Sequence, residues 1–225
     1  MVFAIAMGFL ESAVVIYLRE LYYKEGFSFP LKPMPETIAL VELLREAATV
    51  IMLVSAGYLA GRTKLQRFAY FCLAFAVWDL FYYVFLYIFL GWPQSLFTWD
   101  ILFLIPLPWT GPVWAPCVLS LLMIAGALHV IVKIHQNDLF AVKRLDWLLL
   151  ICGALIVIIS FMWDCIAILA APGFHAVGSK DLLSLMHSYV PQLFNHALFF
   201  TGFALMCYPV LTTILITKNK TNEKE

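Results

Sequence analysis

Glu42, Arg45 and Glu46 are the residues of this chain whose types and spacing most plainly invite chemistry. Two glutamates four residues apart share one face of a helix, and an arginine three residues from the first flanks both. Such a group can hold a proton, bind a cation or orient a polar head group. The same i, i+3, i+4 spacing recurs elsewhere. Asp79 is followed by Tyr82 and Tyr83, Ser160 precedes Asp164 by four residues, and Gln192 is followed by Asn195 and His196. Carboxylates joined by a histidine suit zinc, iron or manganese. Glu46, Asp164 and His196 are therefore the expected metal-ligating set. Without a divalent metal ion, Glu42, Glu46 and Asp79 are the expected catalytic acid and base groups, their environments pushing their affinities for protons apart. Arg45 then holds an anionic head group or orients the glutamates.

These groups sit in a chain that water alone would not suit. Of its 225 residues, 64% are hydrophobic and only 12% charged, and the mean hydropathy is +0.92. That composition excludes an ordinary soluble domain. A formal net charge of zero gives no basic surface for nucleic acid. Cys72, Cys117, Cys152, Cys165 and Cys207 fall singly in apolar runs, with no CxxC pair, so buried, inert thiols are expected. The N-terminal stretch lacks a basic lead-in and a small-residue cleavage site, and Glu11 interrupts its apolar run. It reads as a first membrane helix rather than a signal peptide.

A helix needs about 20 residues to cross ~30 Å of hydrocarbon. Six segments meet that length: 2–23, 36–60, 68–91, 112–135, 147–171 and 190–217. The expected fold is all-α, a polytopic bundle of six transmembrane helices forming a single domain over 1–217. A disordered tail, KNKTNEKE, follows at 218–225. Arg62, Lys64 and Arg67, then Lys133, Lys143 and Arg144, then the lysines of the tail, all fall on one side under this count. The bias toward positive charge on the cytoplasmic side places both termini in the cytoplasm. The stretch WDLFYY…WPQSLFTWDILFLIPLPW resembles a bacterial integral membrane family. That resemblance suggests a multi-pass protein of the inner membrane and implies no activity.

The outer segments have their own character. EGFSFPLKPMPE, between the first two helices, carries three prolines that forbid continuous helix. WPQSLFTWDILFLIPLPWTGPVWAP, between the third and fourth, is too apolar for a solvated loop and too rich in proline for a span. It is expected to form a re-entrant or interfacial cap, its tryptophans at the membrane surface. Residues 173–189 are expected to hold a short amphipathic helix near Leu182–Tyr189. Trp-Asp occurs at 78–79, 99–100 and 163–164. Two of these fall in helices running the same way, a trace of a parallel repeat or a coincidence.

At 1.5 Å per residue, Glu42, Glu46, Asp164 and His196 lie ~9–15 Å below the outer surface, with Glu11 and Asp79 near the midplane. Charges at such depth cost ~2.5–3.5 kcal/mol each on insertion scales. They are expected to face inward around a polar cavity opening outward, lined by the second, third, fifth and sixth helices. Glu11 and Arg19 of the first are candidates to join it. A purely structural ion-pair network is the alternative. However, five acids (Glu11, Glu42, Glu46, Asp79, Asp164) face only two arginines (Arg19, Arg45). His129 lies deeper and reads as a hydrogen-bonded interior histidine, His135 sits at the cytoplasmic end, and His175 and His187 fall near the last outer loop.

The leading expectation is a membrane-embedded enzyme acting on a lipid-like or amphiphilic substrate drawn from the bilayer. A proton- or cation-coupled transporter or channel is the alternative. A membrane subunit of a larger redox complex is another, as is a homo-oligomer. No HExxH, histidine box or GxSxG motif narrows the choice.

Overall fold

Long apolar runs, ended by proline, glycine or charge, set the helices of this protein. The computed structural model describes residues 1–137, 140–170, 190–191 and 193–222, with side chains up to residue 215. Six helices run through them: α1 (Val2–Tyr22), α2 (Glu36–Ala60), α3 (Lys64–Leu90), α4 (Trp114–Gln136), α5 (Arg144–Ala170) and α6 (His196–Asn222). The expected segment bounds are met within a few residues, except that α6 starts six residues later. Five helices are long and apolar enough to cross a membrane: α1, α3, α4, α5 and the His196–Leu215 part of α6. The protein is thus compatible with a multi-pass membrane protein in a lipid bilayer. The remaining helix, α2, has the length (25 residues) but carries Glu42, Arg45 and Glu46 along its course.

Helix ends follow local chemistry. Thr63 caps α3 by accepting the Gln66 N–H, and Gly91 closes it in a left-handed conformation (φ 61°) that suits glycine. Asn195 caps α6, its side-chain oxygen accepting the Leu198 N–H at 3.1 Å. Asn195 therefore stands at the mouth of the helix, not within it. The expected amphipathic helix over 173–189, with His175 and His187, lies outside the described residues, as does Gln192.

The segment between α3 and α4 departs from the all-α expectation. It is a β-hairpin, β1 (Trp99–Phe103) paired antiparallel with β2 (Trp109–Pro112), with Asp100 opposite Gly111 and Phe103 opposite Trp109. Its backbone groups satisfy one another across the ladder. That answers the problem prolines and apolar residues pose together at this position. The strands are also covered: β2 packs against α5 and α4, and Trp109 stacks on Phe161 of α5.

Two packing groups result. α1 and α2 both lie along α3, and α4 packs on the same helix. Their core joins Ala4, Met7, Leu53, Leu73, Val77 and Ile131. α5 and α6 form a tight pair. This pair is held to the rest by Phe161, Phe194 and Phe199, which pack with Ala115 of α4 and the hairpin tryptophans Trp99 and Trp109. Glycines set the closest approaches. A Cβ on Gly153 would lie 2.6 Å from the Gly202 carbonyl oxygen, and one on Gly202 the same distance from that of Gly153. Small residues at such crossings let helix backbones meet where lipid gives no hydrophobic drive.

Candidate functional site

α1 and α2 diverge: each follows α3, but they make no extended contact with one another. The wedge between them, backed by α3 and roofed by the hairpin, is a cavity of about 520 Å³. That volume lies within the usual range for a small-molecule site, ~300–1,000 Å³.

The polar groups of α1 and α2 meet across the wedge. The Arg45 Nε donates to Glu42 at 2.8 Å, and a terminal nitrogen of the same guanidinium donates to Glu11 on α1. Thr49 donates to the second oxygen of Glu11 at 3.3 Å. This fork of one guanidinium between two carboxylates is the main polar tie between α1 and α2. It satisfies both acids in a place where an unpaired charge would be costly. Glu46 lies on the same face of α2, one turn past Glu42, and is 7% exposed. It accepts the Leu104 backbone N–H from the hairpin turn at 2.8 Å. The helix and the hairpin are thus joined through Glu46.

A second ion pair forms near the hairpin. Arg19, in the last turn of α1, reaches Asp100 of β1 at 3.5 Å. Its guanidinium lies 3.7 Å above the Trp92 ring and 4.7 Å above that of Phe27. Aromatic faces stabilise a cation held this way. The Tyr82 hydroxyl donates to Asp100 at 3.5 Å. Burial pushes the Asp100 carboxyl up to about 6, while Arg19 and the tyrosine hydroxyls hold it from going higher. Asp100 was met in the sequence only as part of a repeated Trp-Asp. The signal that could have found it was a lone acid in an apolar segment, facing an arginine otherwise unmatched in the last turn of α1.

Asp79 also lines the cavity and accepts the Ser120 hydroxyl of α4 at 2.8 Å. Nearby, Tyr82 and Tyr83 line it too. The structure thus brings together Glu42, Arg45, Glu46 and Asp79 around one space, joined by Glu11 and Arg19 of α1.

Asp164 and His196 are elsewhere, which corrects two expectations. The cavity is lined by α1, α2, the loop between them, α3 and the hairpin, and not by α5 and α6. His196 is exposed and stacks on Trp114 at 5.9 Å. Ser160 bonds its own helix at the Val157 carbonyl, not Asp164. The expected set of Glu46, Asp164 and His196 is not assembled. Among the described residues, no three metal-ligating side chains of His, Cys, Asp or Glu converge. The depth arithmetic placed these groups at one level, but level along the membrane normal says nothing of position within its plane. The Trp-Asp pairs fare likewise: Trp78 is 6% exposed and Trp163 is 42% exposed, so the two are not equivalent positions of a repeat. The His129 Nε2 is buried without a hydrogen-bond partner among the described residues, contrary to the expected interior bond.

Compared with models of known protein families, with curated proteins and with solved structures, the chain matches none.

Proposed function

We propose that this chain is a six-span integral membrane protein that admits an amphiphilic small molecule from the bilayer and acts on it by acid–base chemistry. In this reading α2 is the sixth span. Its charges are compensated by Glu11, Arg45 and the hairpin, as intramembrane ionisable groups require. The cavity opens outward, at the hairpin end, with both termini cytoplasmic. One observation carries the proposal: buried Glu46 lines a cavity whose wall also includes the exposed apolar side chains of Leu40 and Leu43. An apolar tail can reach that cavity sideways between α1 and α2 while its head meets carboxylates.

Glu46 is the group placed at the chemistry. Arg45 is engaged by Glu11 and Glu42, whereas Glu46 is positioned by one backbone N–H. One of its oxygens is thereby left without a hydrogen bond among the described residues. A carboxylate so placed can accept a proton from a bound substrate and return it. Asp79, anchored by Ser120, is the second candidate. Arg45 positions the glutamates, bonding Glu42 through Nε and Glu11 through a terminal nitrogen. A through-path for ions is less well supported. Beyond Glu11 and Asp79 the interface of α1, α2 and α3 is filled by Met7, Leu53, Leu73 and Val77.

The test is turnover in proteoliposomes made from a total lipid extract. The wild-type protein is expected to change the abundance of at least one amphiphile over time, read by untargeted mass spectrometry. Glu46→Gln is expected to lose that change while remaining monodisperse in detergent. Turnover undiminished in Glu46→Gln, or no change with active wild-type vesicles, would set the acid–base reading aside.

A further inference from the structure

We infer that the amphiphile is cationic at its head, an amine or ammonium held against Glu46 among the aromatic side chains of the cavity. The inference rests on the amphiphile reading above and specifies its substrate class.

The charge balance of the lining points this way. Arg45 is bonded to Glu11 and Glu42, and Arg19 to Asp100. An anionic head group would meet guanidinium groups whose charge is already balanced, Arg45 by two carboxylates and Arg19 by Asp100. The remaining base, Lys32, is exposed on the loop between α1 and α2, its ammonium 5.5 Å from the Tyr23 ring. Against these stand Glu46 and Asp79, neither of which has a cationic partner at salt-bridge distance among the described residues. Each keeps only a neutral donor, the Leu104 N–H and the Ser120 hydroxyl. Carboxylates in a membrane interior call for a counter-charge, and among the described residues neither Glu46 nor Asp79 has one within salt-bridge distance.

The walls agree with the charge. Tyr22, Tyr23, Trp78, Tyr82, Tyr83 and Phe103 all line the space, and aromatic faces attract ammonium groups. The outer end already holds a cation in this manner, with Arg19 between Trp92 and Phe27 and its charge met by Asp100.

The experiment compares three probes of matched chain in the full-length protein: N-dodecylethanolamine, its neutral amide N-dodecanoylethanolamine, and dodecyl phosphate. Binding is read by native mass spectrometry from a neutral detergent. Ala39→Trp, which fills the cavity from α2, sets the level of non-specific adsorption. The amine is expected to bind the wild type about tenfold or more tighter than the amide, as a charge-assisted contact implies. Dodecyl phosphate is expected to bind no better than it does to Ala39→Trp. In Glu46→Gln the preference for the amine over the amide is expected to vanish. Equal binding of amine and amide to the wild type, or tighter binding of the phosphate, would overturn the cationic assignment and leave the amphiphile reading standing. Binding of all three at the Ala39→Trp level would overturn both. The selectivity of the wild type decides the matter even where a variant fails to fold.

Discussion

Arg45 joins two carboxylates on two helices, so its removal should be felt more than that of either partner. Arg45→Ala leaves Glu11 and Glu42 facing each other without a cation. Breaking a fully buried pair costs ~3–5 kcal/mol. The guanidinium here is 20% exposed, which reduces the cost to roughly 2–3 kcal/mol. Adding Glu11→Gln to Arg45→Ala should recover part of the loss, because the remaining acid is then met by a neutral neighbour. Thermal unfolding of the three proteins in detergent checks this. A double variant no more stable than Arg45→Ala would mean that the pair does not couple α1 to α2. At this scale the sequence was informative about types and less so about partners. The i, i+4 spacing of Glu42 and Glu46 put both on the cavity face, because a helix repeats regularly. It could not say that Arg45 reaches across to Glu11 while Glu46 turns to the hairpin backbone, since those choices depend on how α1 and α2 splay.

Elements were legible where periodicity and length act locally, and less so where packing decides. Six apolar runs mark six helices because each run exceeds what a strand or loop would use. The hairpin was harder to see. WDILF and WTGP are separated by LIPLP, whose prolines argue against helix without indicating a strand pair, and the ladder depends on the cover that α5 and α4 provide. The pairing of α5 with α6 also lay beyond pattern reading, although Gly153 and Gly202 mark it in hindsight. Each would place a Cβ 2.6 Å from the other's carbonyl oxygen. Gly202→Ala should therefore force the helices apart and destabilise the fold by about 1–3 kcal/mol, as overpacking does. The reverse change at exposed Ala204 of the same helix, Ala204→Gly, should cost only ~1 kcal/mol, from helix propensity. Melting midpoints of the two variants compare them directly, and a Gly202→Ala protein as stable as the wild type would show that the close crossing is not required.

At the scale of the whole molecule, the ionisable groups divide between two parts. Glu11, Arg19, Glu42, Arg45, Glu46, Asp79 and Asp100 gather where α1, α2, α3 and the hairpin meet. Asp164 and His196 belong to the α5–α6 pair, which buttresses the hairpin from behind through Phe161 and Phe194. A sequence reports depth in a membrane from residue count, and Glu42, Arg45, Glu46 and Asp79 line one cavity. It does not report which helices adjoin, and for that reason Asp164 and His196 were misplaced. The cavity lies in the first of these two parts.

A photoreactive alkyl probe incorporated in the bilayer, followed by peptide mapping of the cross-links, tests that cavity most directly. The account predicts labelling concentrated on the facing stretches of α1 and α2 and on the hairpin at Ile101–Leu104, and loss of that labelling in Ala39→Trp. Labelling spread evenly over the lipid-facing surfaces of α5 and α6 as well, and unchanged by Ala39→Trp, would contradict it.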